Sequence, residues 1–303
     1  MSTAPEPYVV EGTVIDGRAA ARALRARVAH RVRDYVGRHG TAPALEVVLV
    51  GDDPASQVYT RNKERAAKKV GLRGSLHRLP ADISPNALLE HVGRLNADDD
   101  VDGILVQLPL PAHLDADAVL DAIDPAKDVD GLHPVNAGIL SAGRPGLVPC
   151  TPRGCMHLLE ATGRDLRGQH AVMVGRSNLM GKPMAQLLLA AHATVTIAHS
   201  RTVDLRAVCA AADVLVVAVG RRHLVGPDWV KPGAIVIDVG INRSEDGGLV
   251  GDVDFEAVRD KVAHITPVPG GVGPMTIACL LDNAVTAAEL RRGETPTTTA
   301  APP

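Results

Sequence analysis

The chain is nearly devoid of aromatic rings, with one Phe, one Trp and three Tyr among 303 residues. No aromatic side chains interleave with basic runs, and 32 Lys and Arg stand against 35 Asp and Glu, so nothing here suits a surface that follows a nucleic-acid backbone. Nucleic acid is therefore excluded as a partner. Only four cysteines occur, Cys150, Cys155, Cys209 and Cys279, and none forms a Cys-x-x-Cys pair; reduced core thiols are expected, with the nearest pair split between the end of a strand and the start of a helix. The twelve histidines contain no His-Glu-x-x-His pattern, so no metal is expected. Long apolar runs are also missing, and Pro5, Glu6 and Pro7 interrupt Met1–Glu11 where a secretory signal needs an unbroken apolar core. These absences point to a cytoplasmic chain without a membrane partner.

What the chain has is aliphatic: 46% of it is hydrophobic, and runs rich in Val and Ile alternate with amphipathic stretches. That alternation predicts an α/β fold, parallel strands covered by helices. In the first half the pattern predicts helices over Arg18–Arg38, Asp53–Val70 and Pro85–Leu95, and strands at Leu45–Val50, Ser75–Leu79 and Gly103–Val106. In the second half strands are expected at Ala171–Val174, Thr194–Ala198, Val214–Val219 and Ala234–Val239, with a helix over Met184–Ala191. Three prolines between Pro145 and Pro152 interrupt the periodicity and mark a domain crossing. Two α/β domains follow: residues 1–149, rejoined by a last helix over Met275–Arg291, and residues 150–274, a Rossmann-like parallel sheet. The tail 293–303, rich in Thr, Pro and Ala, has too little to bury and is expected to be disordered.

One charge is out of place. At about 100° per residue, Tyr59, Lys63, Ala66, Ala67 and Val70 form one stripe of the helix capped by Asp53 and stopped by Gly71, while Arg61, Glu64, Arg65 and Lys68 lie opposite. Burial disfavours an ammonium, and a shielded amine can exchange protons with a substrate. The competing reading is a lysine that reaches past the alanines to water.

Strand Ala171–Val174 runs into Gly175-Arg-Ser-Asn-Leu-Met-Gly181-Lys-Pro183 and a helix, the layout of an anion site at a helix N-terminus. Ser177 takes the place of the second glycine of Gly-x-Gly-x-x-Gly and Gly181 comes one residue late, so a plain tight turn is the alternative. Where an NAD site would offer an acidic residue about twenty positions on, this chain reads His199-Ser200-Arg201-Thr202. With Arg176, two guanidiniums and two hydroxyls surround the place of a 2′-phosphate, which favours NADP. Gln107 ends the strand Gly103–Val106, where open sheets bind ligands, and its amide could bond a neutral amine; a surface glutamine is the alternative. Asp130 sits beside the turn at Gly131, able to cap it or to accept two parallel hydrogen bonds from a guanidine-like ring edge.

Together these segments resemble one family. Gly51-Asp-Asp-Pro-Ala-Ser-Gln-Val-Tyr59-x-x-x-Lys63, Asp102-Gly-Ile-Leu-Val-Gln107-Leu-Pro-Leu-Pro111, Lys127-Asp-Val-Asp130-Gly131, Gly175-Arg-Ser and Pro269-Gly-Gly-Val-Gly-Pro-Met-Thr276 look like the bifunctional methylenetetrahydrofolate dehydrogenases and methenyltetrahydrofolate cyclohydrolases, from about Glu11 to about Arg291. The resemblance implies a folate-binding and an NADP-binding domain flanking a cleft, dimerisation through the latter, and a place in one-carbon metabolism and purine biosynthesis. It further implies that Tyr59 packs on the folate, that Lys63 transfers protons, that Gln107 tunes Lys63, and that Asp130 holds the pterin. By the same match, Gly175, Arg176, Ser177, Ser200 and Ile241 contact the cofactor, and Pro269, Gly270 and Gly271 the substrate. Met180, where the family usually has valine, is a small departure. Short-chain dehydrogenases also use Tyr-x-x-x-Lys, but their glycine loop precedes the pair; here Tyr59 and Lys63 come first. A silent NADP- or folate-binding regulator on the same scaffold is the other alternative, and it would have little need for Lys63, Gln107 and Asp130 together.

Overall fold

The computed structural model describes residues 10–296; the leading stretch up to Val9 and the tail from Thr297 lie outside the described residues. The described residues form two compact units. One takes the chain up to Ala23 together with Thr151–Ala278, and the other takes Leu24–Cys150 and the chain from Cys279 onward. No helix among the described residues is long and apolar enough to cross a membrane.

From the N-terminus the elements are β1 (Val10–Glu11), β2 (Val14–Ile15), α1 (Gly17–His39), β3 (Leu45–Val50), α2 (Pro54–Val70), β4 (Leu76–Leu79), α3 (Pro85–Ala97), β5 (Gly103–Val106), α4 (Ala116–Asp121) and α5 (Pro134–Ser141). In the unit containing Leu24–Cys150, β3 is the centre of a three-stranded parallel sheet ordered β4-β3-β5. Val48 and Val50 of β3 meet Leu88, Val92 and Leu95 of α3 and Ile104 and Val106 of β5 in an aliphatic core. Branched aliphatics suit such a strand because they pack on both faces of the pleat.

The remaining elements are α6 (Cys150–Ala161), β6 (His170–Val174), α7 (Gly181–Ala190), β7 (Thr194–Ala198), α8 (Leu205–Ala210), β8 (Val214–Val217), β9 (Ile235–Asp238), β10 (Asn242–Arg243), β11 (Leu249–Val250), α9 (Phe255–Val258), β12 (His264–Ile265) and α10 (Val272–Arg291). A seven-stranded sheet runs β1-β2-β12-β9-β8-β6-β7, parallel except at the β1–β2 hairpin, and β10 pairs with β11 in a separate hairpin. Val174, Val217 and Asp238 are in register across β6, β8 and β9, so the loops that follow these strands leave from one edge. Open α/β sheets bind ligands at that edge.

Three differences from the sequence reading have physical causes. The first two strands join the sheet of the second half of the chain, because their pairing partners are supplied by β12 rather than by any local pattern. The last helix begins at Val272, three residues before Met275, since Gly273 and Pro274 fall in its first turn, where a proline lacks no needed amide. For the same reason Pro152 does not delay α6, and Cys150 and Cys155 share that helix rather than dividing between a strand and a helix. All four cysteines are buried free thiols, and burial pushes the Cys209 thiol up to about 12.

Candidate active site

Helix α2 begins as its sequence dictates. The Asp53 carboxylate accepts from the Ser56 amide at 2.7 Å, Pro54 occupies the first position, and Gly71 ends the helix in the left-handed conformation. The buried stripe consists of Ser56, Thr60, Lys63, Ala67 and Val70. Lys63 is only 8% exposed, but Tyr59 is 44% exposed and sits on the flank, which corrects the stripe read from the sequence. Thr60 takes the inward place because its hydroxyl donates to the Ser56 carbonyl at 2.9 Å and so needs no water.

Lys63 Nζ donates to Gln107 Oε1 at 2.9 Å. The Gln107 amide nitrogen donates in turn to the Leu108 carbonyl at 2.5 Å, which fixes the side chain with its oxygen toward the lysine. Either protonation state of the amine can donate to that oxygen, whereas a carboxylate in its place would hold the lysine cationic. The reach of Lys63 thus ends on a neutral acceptor at the carboxyl end of β5.

The segment Lys127–Gly131 runs alongside β5. Ile104 bridges Asp128 in parallel, so continuation of that register brings Asp130 level with Val106. The turn is capped by Asp128, which nothing in the sequence pattern singles out: its carboxylate accepts from the amides of Gly131 and His133 and from Asn136 Nδ2. Burial raises the Asp128 carboxyl above its ordinary value, with the donors from His133 and Asn136 pulling the other way. Asp130 accepts no hydrogen bond among the described residues, and its carboxylate is uncommitted. Lys127 is structural, donating to the carbonyls of Leu95, Asn96 and Asp98 at the end of α3; burial lowers its ammonium below the ordinary lysine value.

In the seven-stranded unit, β6 delivers the glycine loop. Gly175 has φ +129°, and a Cβ there would stand 2.4 Å from the Ala218 carbonyl; at Gly181 a Cβ would stand 2.3 Å from the Gly175 carbonyl. Both glycines are demanded by close backbone approach. Ser177 braces the turn, its Oγ accepting from the Met180 amide at 3.2 Å, while its carbonyl accepts from the Lys182 amide at 3.1 Å. The first amides of α7 are therefore engaged. The amides of Arg176, Ser177 and Asn178, one turn earlier, donate to no group among the described residues and are the open donors.

The loop after β7 lies beside this one, since Val174 pairs with Ala198 and the Gly175 amide donates to the Ala198 carbonyl at 2.8 Å. Thr202 Oγ1 is engaged by the His199 amide at 2.9 Å, which leaves Ser200 as the free hydroxyl. Arg176, Ser200 and Arg201 are exposed, and neither guanidinium has an ion-pair partner among the described residues. Two unpaired cations, open amides and a cradle that admits no Cβ fit a phosphorylated dinucleotide with a 2′-phosphate. Ile241, 53% exposed, stands in the loop after β9. In the same unit Pro269 is exposed, while Gly270 and Gly271 are buried; a Cβ at Gly17 would lie 1.8 Å from the Gly271 carbonyl.

Two buried acids escape a reading of the sequence. Asp238 ends β9 and Asp252 follows β11; the Asp252 carboxylate accepts four hydrogen bonds, three from loop amides and one from a side-chain amide, and the Asp238 carboxylate accepts three from backbone amides. Burial pushes the Asp238 carboxyl up to about 6 against the pull of three backbone amides.

A Rossmann-like parallel sheet whose glycine loop presents open amides, in a chain whose other α/β unit holds a buried amine on an amide, defines a two-domain nucleotide-dependent enzyme. The family follows from comparison. Residues 15–130 match the model for the tetrahydrofolate dehydrogenase/cyclohydrolase catalytic domain, and residues 149–292 match that for the NAD(P)-binding domain of the same family. The chain is 63% identical over 279 residues to a Sorangium cellulosum protein called Bifunctional protein FolD, covering 92% of this chain and 97% of that one. It is similar to the bifunctional methylenetetrahydrofolate dehydrogenase/cyclohydrolase structure from Campylobacter jejuni, at 48% identity and a TM-score of 0.89 over 92% and 99% of the two chains. A Trypanosoma brucei dehydrogenase-cyclohydrolase structure, complexed with NADP cofactor and inhibitor, matches at 41% identity and a TM-score of 0.87, covering 94% of this chain and 99% of that one. The chain belongs to the tetrahydrofolate dehydrogenase/cyclohydrolase family.

Proposed function

We propose that this chain catalyses two consecutive one-carbon reactions, the NADP-dependent oxidation of 5,10-methylenetetrahydrofolate to 5,10-methenyltetrahydrofolate and the hydrolysis of that product to 10-formyltetrahydrofolate. The observation that carries the assignment is the buried Lys63 amine bonded to the Gln107 amide. A silent binding protein has no use for such a pair, and that alternative is not retained.

The unit holding Leu24–Cys150 is assigned the folate and the unit holding Thr151–Ala278 the nucleotide. Bound NADP supplies the hydride acceptor, with Gly175, Arg176, Ser177, Ser200 and Ile241 as its contacts. On the folate side, Asp130 accepts two parallel hydrogen bonds from the guanidine-like edge of the pterin, a role supported by its uncommitted carboxylate. Tyr59 lays its exposed ring on the pterin. When water adds to the methenyl carbon, Lys63 Nζ takes up and returns the proton while Gln107 Oε1 keeps hold of the amine in both states.

The cofactor assignment has its own test. NADP is expected to give a lower KM than NAD, and Arg176→Ala is expected to raise the KM for NADP by about tenfold, the loss of a charge-assisted bond to phosphate, with little effect on that for NAD. Equal effects on the two cofactors would remove Arg176 from the 2′-phosphate site. We also propose a homodimer formed through the nucleotide unit: β7 is an edge strand, and Ile197 on it and Val203 just beyond it are exposed, an edge that association would cover. Light scattering on the eluting protein should give the mass of two chains; the mass of one would contradict it.

A further inference from the structure

Asp252 is 0% exposed and Asp238 2% exposed, yet among the described residues neither forms an ion pair. Their partners are loops. Asp252 Oδ2 accepts from the Val219 amide at 2.7 Å and the Gly220 amide at 3.0 Å; its Oδ1 accepts from the Arg221 amide at 2.7 Å and from Asn242 Nδ2 at 2.9 Å. One carboxylate thus ties the loop leaving β8 to the loop leaving β9. Asp238 secures this arrangement from below, its Oδ1 accepting from the amides of Gly240 and Asp252 and its Oδ2 from that of Val253.

The fit leaves no slack. A Cβ at Gly240 would stand 2.3 Å from Asp252 Cγ, and one at Gly251 would stand 1.8 Å from Asp238 Oδ2. The β10–β11 hairpin explains how the chain reaches this point: Asn242 pairs with Val250, so the strand returning from the hairpin carries Gly251 and Asp252 back beside the β9 loop. The other end of the clamp abuts the glycine turn, since the Ala218 carbonyl, one residue before Val219, is the atom that forbids a side chain at Gly175. Contact therefore runs without a gap from the phosphate loop through Ala218–Arg221 and Asp252 to Asn242 and its neighbour Ile241.

We infer that Asp252, seated by Asp238, is a positioning residue for the cofactor: it sets the β8 and β9 loops, and with them Ile241, at the height the bound dinucleotide requires. Asp252 touches no reacting group. A charged acceptor is suited to this, because four donors converge on it and each bond to a carboxylate is stronger than one to a neutral oxygen. The inference rests on the reading that NADP binds at this edge of the sheet.

The test uses two variants of the full chain, Asp252→Asn, which turns an NH2 toward donors, and the milder Asn242→Ala, which releases only the β9 loop. Arg176→Ala serves as a reference for the cofactor site. Each is assayed for dehydrogenase KM and kcat with NADP, for cyclohydrolase turnover of preformed methenyltetrahydrofolate without NADP, and for Tm. Expected are a rise in the KM for NADP of about tenfold for Asp252→Asn and about threefold for Asn242→Ala, with cyclohydrolase turnover within about twofold of the parent. If Arg176→Ala weakens NADP use while Asn242→Ala and a folded Asp252→Asn do not, the clamp is refuted and the cofactor site stands. If none of the three alters NADP use, the site reading fails and the clamp with it. Loss of both activities in step with Tm would make Asp252 merely structural and overturn the inference.

Discussion

Replacing Lys63 with methionine is expected to reduce cyclohydrolase turnover by about a thousandfold, the contribution of a positioned proton-transfer group. The fold should survive. Methionine fills a similar volume, the side chain it replaces is 8% exposed, and the substitution forfeits the hydrogen bond to Gln107, about 1 kcal/mol. Lys63→Arg sharpens the result: arginine keeps the positive charge and can donate to Gln107, yet it does not give up its proton in proteins. If Lys63 acts by proton exchange, the arginine variant fails as the methionine variant does; if it acts only as a fixed charge, the arginine variant retains activity. Hydrolysis at the parent rate by a folded Lys63→Met protein would remove Lys63 from the mechanism.

The second large effect is on stability. Arg31 of α1 is buried and its guanidinium meets Asp282, Thr286 and Glu289 of α10, with Glu289 at 2.6 Å and Thr286 at 3.2 Å. Arg31→Met leaves two buried carboxylates without this cation, and removal of one member of a buried pair costs about 3–5 kcal/mol. Arg38, 3.7 Å from Glu289, compensates only weakly because it is itself substantially exposed. Urea unfolding of the variant should show the loss, and a change below about 1 kcal/mol would mean that the helix pair is held by its apolar packing alone. Replacing all three charged positions with apolar residues of similar volume should recover much of what Arg31→Met loses, since the desolvation of the remaining acids is then removed as well.

Much of this architecture is legible in the residues. The strands at Leu45–Val50 and Gly103–Val106 coincide with the ends read from their apolar runs, because a strand covered on both faces is apolar along most of its length, and the exposed edge strand Thr194–Ala198 coincides through its β-branched residues. Two-residue strands such as β1, β2 and β12 are another matter. They exist by virtue of their neighbours in the sheet and leave no period to detect.

The site divides in the same way. Lys63 is conspicuous as a cation on an apolar stripe, and Gln107 as a polar residue at a strand end. Helical spacing alone places Tyr59 inward because Ser56 and Thr60 are polar, and polarity hides a buried stripe when the hydroxyl bonds its own helix. The capping role falls to Asp128 rather than Asp130, and nothing in Asp-Val-Asp separates the two, since the choice depends on where Asn136 and the His133 amide lie. Asp252 is invisible in the sequence for a related reason. Its donors at Val219, Gly220 and Arg221 stand more than thirty residues away along the chain, and only the sheet register brings them together.

The most direct measurement supplies purified protein with methylenetetrahydrofolate and NADP and follows NADPH and the methenyl compound in the same cuvette. One chain performing both steps should raise NADPH steadily while the methenyl signal stays at a low plateau and 10-formyltetrahydrofolate forms. Methenyl compound that accumulates in equal amount with NADPH, and decays no faster than in buffer, would contradict the account.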